Sequence, residues 1–297
     1  MTLPPMPPRS LGPGAPAVSP IGLGGMALSL SGRPADEATG IRVIQAALDH
    51  GVTLIDTADV YCLDDTDIGH NERLIARALR GWSGAHDGVI VATKGGMIRP
   101  GGRWERNGRP EHLRRACDHS LRALGIDRID LYQLHAPDPE VPLTDSVGAL
   151  AELQRAGKIR WVGLSNVSVA DIVVASRSVT VVTVQNRLNP FFREALDSGV
   201  VTECARRGIG FLAYSPVGGG RLNKKLPAHP VLQALSRRHA VSPHAVALAW
   251  VLAQGRTVLP IPSARTVEHA LDSLGAANVA LGPEEVAAVT GAAFSRS

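Results

Sequence analysis

Residues 51–61 read Gly-Val-Thr-Leu-Ile-Asp-Thr-Ala-Asp-Val-Tyr, and within them the short apolar run Thr53–Asp56 stops on a carboxylate. A run of this length with apolar side chains on both sides suits a strand buried on both faces, as in a parallel sheet. The pattern recurs at Ile21–Gly24, Val89–Thr93, Asp130–His135, Arg160–Ser165, Val181–Gln185, Gly210–Tyr214 and Val258–Ile261. Stretches of helical period lie between the runs: Ile41, Ile44 and Leu48 mark one apolar stripe, and Leu74, Ile75, Ala78 and Leu79 another. Pro110-Glu111, Ser168 with Asp171, Ser242-Pro243 and Pro283-Glu284-Glu285 carry the signatures of helix starts. Eight strand–helix alternations with no linker between them predict one α/β domain over residues 19–297. Its expected form is a closed (β/α)8 TIM barrel, with an extra helix at residues 230–240 before the last βα unit. A doubly wound dinucleotide fold fits less well, because Gly218-Gly219-Gly220 follows the seventh strand instead of the first.

With 44% hydrophobic and 20% charged residues, the 297-residue chain can bury a sizeable core. The formal charge of +4 comes from cations scattered among acids, and aromatic residues make up 4%; neither suits a nucleic-acid face, which needs clustered cations and stacking rings. Cys62, Cys117 and Cys204 are odd in number and far apart, which suits neither a disulfide framework nor a Cys-based zinc site and points to a reducing cytoplasm. No apolar run approaches the roughly 20 residues that cross a bilayer, and Met1–Ser10 lacks the apolar centre of a signal peptide. His112/His119 and His239/His244 lack ligand spacing, so no metal is expected. Residues 1–18 are rich in Pro and poor in core candidates, and read as an irregular lead-in.

Polar residues interrupt the apolar runs at or just past their C-terminal ends: Asp56, Lys94, His135, Ser165-Asn166, Gln185-Asn186, Tyr214-Ser215 and Ser263. In a barrel these ends converge on one mouth, where barrel active sites lie. Asp56, Tyr61, Lys94 and His135 together suit carbonyl reduction, in which a hydride arriving at carbon creates an alkoxide that needs a proton and donors aimed at its charge. Tyr is a weak acid, pKa ~10, and becomes effective when a cation stabilises its phenolate. Lys94 can be that cation, Asp56 can hold Lys94, and His135 can donate to the substrate oxygen. Only four of the 31 basic residues are Lys, so a chain that otherwise uses Arg places a compact ammonium at position 94. Two other functions use parts of the same residue set: a Schiff-base aldolase acting through Lys94, and a cofactor-sensing regulatory subunit with little turnover.

The chain resembles the aldo-keto reductase superfamily, most closely its bacterial members without a long C-terminal tail, over about residues 9–292. The resemblance is carried by VSPIGLGGMAL (18–28), GVTLIDTADVY (51–61), VATKGG (91–96), IDLYQLHAPDP (129–139) and GKIRWVGLSNVS (157–168). It continues through VQNRLNP (184–190), FLAYSPVGGGRL (211–222), ALAWVLAQ (247–254) and VLPIPSARTVEHALDSL (258–274). It implies NADP(H)-dependent interconversion of a small aldehyde or ketone and its alcohol, with Asp56, Tyr61, Lys94 and His135 as the catalytic tetrad. It also implies that Ser165, Asn166 and Gln185 read the nicotinamide carboxamide, that Tyr214 stacks on the ring, and that Asp56 approaches the ribose. Gly25 and Met26 would touch the cofactor through backbone, and Ser215, Val217, Gly218 and Leu222 would border the pyrophosphate. The adenosine end is implied on Ser263, Ala264 and Arg265 before a helix start near Thr266, with His269 and Asp272 close by. An Arg beside the N–H groups of a helix start suits a 2′-phosphate, which favours NADP(H) over NAD(H).

This chain departs from the family pattern at Leu271-Asp272-Ser273, where many relatives carry Glu-Glu-Asn, and at Ser263, where many carry Gly. The N-terminal segment RSLGPGAPAVSP (9–20) is rich in Pro and Gly, which weighs against the strand pairing that normally closes the barrel bottom. Substrate shape is expected from the mouth loops at 28–33, 61–67, 95–109, 136–142 and 216–227, with Met97 and Trp104 as an apolar wall. Trp82, Trp161 and Trp250 read as packing residues.

Overall fold

Eight strands lie side by side in chain order, every neighbouring pair parallel: Leu23–Gly24, Leu54–Asp56, Ile90–Gly95, Ile129–Leu134, Ile159–Ser165, Val181–Arg187, Gly210–Tyr214 and Val258–Pro260. The computed structural model describes residues 6–34 and 36–297. Gly24 bridges Ser263, while the Gly22 and Gly24 amides donate to Pro260 O at 3.0 Å and Pro262 O at 2.9 Å, so the first strand meets the last and the sheet closes into a (β/α)8 barrel. The helices pack outside, with most of the apolar core between them and the sheet.

Helix starts follow the sequence signals. Ser168 and Asp171 form a reciprocal capping box, Ser242 Oγ accepts from the Ala245 amide, and Pro110 and Pro283 occupy the first helical turns of Pro110–Leu124 and Pro283–Gly291. The extra helix is Pro230–His239, ahead of the helix Pro243–Leu252, which is apolar from Ala245 onward.

Inside the barrel, residues alternate along each strand. Leu54, Ile90, Ala92, Leu131, Trp161, Leu212 and Leu259 form one apolar cluster. Two residues beyond Leu54, Ala92 and Leu131 on the same strands come Asp56, Lys94 and Gln133, the period expected of a strand. The other face of each strand is also apolar, which is why these segments read as near-continuous runs.

The lead-in is more ordered than its composition predicts. Arg9–Ser10 pairs antiparallel with Ala17–Val18, and Leu11 and Val18 plug the apolar cluster from below. The paired positions lie either side of Pro13 and Pro16, so no proline is asked to donate. Three anchors hold the hairpin. The Arg9 guanidinium donates to Leu252 O, Gly255 O and Val258 O at 3.0, 2.8 and 2.7 Å, and the Trp161 indole donates to Gly14 O at 3.2 Å. Close approach supplies the third: a Cβ on Gly210 would stand 2.1 Å from Leu11 O, so only glycine lets the hairpin seat on the barrel floor. Residues 1–5 of the lead-in lie outside the described residues.

Candidate active site

Three successive strand ends deliver the charged group. Asp56 ends the second strand, Lys94 lies near the end of the third, and His135 follows the fourth. Tyr61 comes from the turn after Asp56. Lys94 Nζ donates to Asp56 Oδ2 at 2.7 Å, to Thr57 O at 2.7 Å and to Tyr61 OH at 3.2 Å. The His135 ring stands edge-on to Tyr61, centroids 5.8 Å apart, and Trp104 packs edge-on against both at 6.4 and 6.2 Å. All four polar side chains are buried, Lys94 completely.

A buried Lys–Asp pair is sustainable only when the remaining donors and acceptors are met. Asp56 Oδ1 accepts from Gln185 Nε2 at 2.7 Å and from Gln133 Nε2 at 3.3 Å, so two amides brace the carboxylate that holds the ammonium. Gln133 is not among the residues read from the sequence as site residues, although its place two residues before His135 puts it on the same inward face. Gly163 makes room for it, since a Cβ there would lie 2.8 Å from Gln133 Cγ; a glycine inside an apolar strand is the signal for such an approach.

Burial sets the protonation states. It pushes the Tyr61 phenol above its ordinary pKa despite the opposing pull of Lys94, so the phenol keeps its proton. For Lys94 burial works against the charge, but Asp56 and then Tyr61 outweigh it and the ammonium is held above its usual value. Burial, reinforced by Lys94, drives His135 well below its ordinary value, so the imidazole is neutral; its Nδ1 meets no hydrogen-bond partner among the described residues. A neutral imidazole and a protonated phenol thus face one cavity of about 850 Å³, with the buried ammonium behind the phenol.

The family model for the aldo/keto reductase family matches residues 20–293, almost the whole of this barrel. The chain belongs to the aldo/keto reductase family. An uncharacterized oxidoreductase of Schizosaccharomyces pombe is 35% identical over 271 residues, covering 90% of this chain and 84% of the relative. Among solved aldo/keto reductase folds, a glycerol dehydrogenase from Gluconobacter oxydans superposes with a TM-score of 0.83 at 28% identity, over 95% of this chain and 93% of its own. An aldo/keto reductase from Klebsiella pneumoniae, solved in complex with NADP and acetate, superposes with a TM-score of 0.78 at 28% identity, over the same shares of 95% and 93%.

In this aldo/keto reductase the mouth cavity gathers most of the side chains singled out for cofactor. Met26, Asp56, Ser165, Asn166, Gln185 and Tyr214 line it, as do Ser215, Val217, Ser263 and Arg265. Asn166 and Ser215 hold left-handed backbone, φ 58° and 49°, at the ends of the fifth and seventh strands. Such conformations concentrate at ligand sites because the surroundings must enforce them. The Asn166 amide is tied on both sides, donating to His135 O at 3.0 Å and accepting from Tyr214 OH at 2.9 Å. Arg265 is exposed, and its guanidinium donates to Ser31 O at 3.3 Å.

Other expected residues are not brought to the cavity wall. Leu222 and Ala264 are buried in the apolar core, and Gly218 packs beneath Phe191. Gly25 lies against Asn71, whose amide donates to Gly25 O at 2.9 Å. The Asp272 carboxylate accepts from Ser242 at 2.6 Å, and the exposed His269 amide bonds Thr266 Oγ1 at 3.2 Å as part of the helix cap. Conversely, Arg187, at the end of the sixth strand, lines the cavity without having been singled out, while Leu30 and Ser31 reach it from the expected mouth loop 28–33. Met97 and Trp104 line it as expected.

Cys62, Cys117 and Cys204 are free and buried. Among the described residues no helix is long and apolar enough to cross a membrane, and no cluster of His, Cys, Asp and Glu has the arrangement of a metal site.

Proposed function

We propose that the protein reduces an aldehyde or ketone to its alcohol, or runs the reverse oxidation, using NADP(H), with Tyr61 as the general acid. The observation that carries this reading is the Tyr61 hydroxyl 3.2 Å from an ammonium that Asp56 holds at 2.7 Å. The cavity fits a dinucleotide: it joins the Tyr61–His135 group to Ser263 and Arg265, with Asn166 and Gln185 amides between and an Arg on its lip to meet a 2′-phosphate. The NADP complex of the Klebsiella relative supports the same cofactor here.

When bound, the reduced nicotinamide supplies the hydride. Neutral His135 orients the carbonyl oxygen by donating a hydrogen bond. Tyr61 gives its proton to that oxygen as negative charge develops on it, and Lys94 stabilises the phenolate left behind. Asp56, braced by Gln133 and Gln185, fixes the ammonium so that no reorganisation is needed at that moment. Trp104 shields the group from water at its outer edge. The Schiff-base alternative is disfavoured, since an attacking amine must be neutral and Asp56 favours the charged form of Lys94.

The test follows NADPH oxidation with a panel of small aldehydes and ketones. Turnover by the wild type that collapses in Tyr61→Phe is expected. Tight NADPH binding without turnover on any member would replace the proposal with a cofactor-sensing role.

A further inference from the structure

A second cavity, about 540 Å³, opens beside the first, between the loop that follows the third strand and the helix Pro110–Leu124. The two share Met97. Three arginines line the second cavity, Arg99, Arg115 and Arg122, and among the described residues none of them forms an ion pair.

Arg99 is the telling member. It is only 6% exposed, yet among the described residues its sole side-chain hydrogen bond runs from Nη2 to Leu63 O at 2.8 Å, leaving Nε and Nη1 without partners there. A buried cation with unmet donors is costly unless an acceptor arrives from outside the chain. Its guanidinium lies 4.1 Å over the Trp104 ring, which keeps the planar fork fixed.

The remaining wall narrows the ligand class. Val60, Ile68 and Ile98 make an apolar lining, so the cavity suits a body that is not itself charged. Two carboxylates are also present. Asp65 accepts from the Gly101 amide at 3.3 Å, and Asp59, held well above the ordinary carboxylate range by burial and then by Glu72, accepts from the Val60 amide at 2.7 Å. His112 and His119 are held below their usual value by burial and stay neutral. The balance is cationic, three guanidinium groups against two carboxyl groups.

From this arrangement we infer a second ligand site, separate from the carbonyl site, that takes a small organic anion: a carboxylate on an apolar body, its oxygens met by Arg99 and Arg115 and its body seated on Val60, Ile68 and Ile98. Arg99 links the site to the substrate cavity through Trp104, so an occupant sits directly behind one wall of the carbonyl site.

The experiment uses 4-bromobenzoate on the full chain. Anomalous diffraction from soaked crystals is expected to place bromine in the cavity beneath residues 97–100. Calorimetry is expected to show that site's Kd rising by at least about tenfold in Arg99→Gln, the effect of losing one charge-assisted hydrogen bond. Arg115→Ala, at an exposed position, is expected to weaken the same site and keeps the test readable if Arg99→Gln does not fold. Bromine found only in the mouth cavity overturns the proposal, and so does unchanged affinity in the folded variants.

Discussion

The barrel interior holds two tiers made by the same strands. In the lower one Leu54, Ala92, Leu131, Trp161, Leu212 and Leu259 meet each other and the hairpin residues Leu11 and Val18. Two residues further on, Asp56, Lys94 and Gln133 occupy corresponding places, joined by Gln185 from the sixth strand. Burial stabilises the lower tier in proportion to the apolar area removed from water. In the upper tier burial opposes the charges, and hydrogen bonds only offset that penalty. A step of two residues along a strand therefore separates what holds the protein together from the groups to which we assign its chemistry.

The comparison can be broken in four places. Tyr61→Phe removes a proton and no packing; kcat for reduction is expected to fall by roughly 10²–10⁴-fold while the NADPH dissociation constant stays nearly constant. A loss smaller than tenfold would move the acid elsewhere in the mouth. Next comes Lys94→Met, which leaves the Asp56 carboxylate buried without a counter-charge and is expected to lower unfolding stability by about 3–5 kcal/mol in urea titrations. Asp56→Asn combined with Lys94→Met should regain most of that loss without regaining activity, which would show that the pair is kept for chemistry.

Leu212→Ala in the lower tier is expected to cost about 2–5 kcal/mol, through lost burial and the hole left behind, with kcat/KM little changed. A large drop in kcat/KM would mean that the tiers are not independent. The smallest effect concerns His135. Because its folded-state pKa lies well below the ordinary 6.5, the unfolded chain takes up a proton near that pH and the folded one does not. Stability should thus fall as pH drops below about 6.5, by up to about 1.4 kcal/mol per unit, and His135→Asn should flatten that slope. The same shift means that kcat should show no inflection near 6.5, and one that disappears in His135→Asn would contradict a neutral imidazole.

Legibility in the sequence followed the same division. Alternation of apolar runs with helical stripes identified the strands to within a residue or two, because each is buried on both faces. Polar residues at strand ends stood out against those runs, so Asp56, Lys94 and His135 could be read directly. Gln133 could not, since an amide inside a strand looks like an interruption until its partner Asp56 is known to face it from two strands away. The N-terminal hairpin was hidden for a different reason. Its stability resides in Arg9 reaching carbonyls more than 240 residues distant, and no local propensity reports such a contact. Leu222, Ala264 and Asp272 show the converse: their motif neighbours reach the cavity, while their own side chains are turned into the core or tied to Ser242.

The closure between first and last strands rests on a two-residue segment, one bridge and two loop hydrogen bonds, where other neighbouring pairs share longer ladders. This is the zip's open end. Met26 and Ser263 line the mouth from its two sides, so any molecule gripped by both would act as a clasp across the least secured edge of the barrel. Thermal resistance and occupancy would then rise together, with the gain concentrated in the amides of residues 22–24.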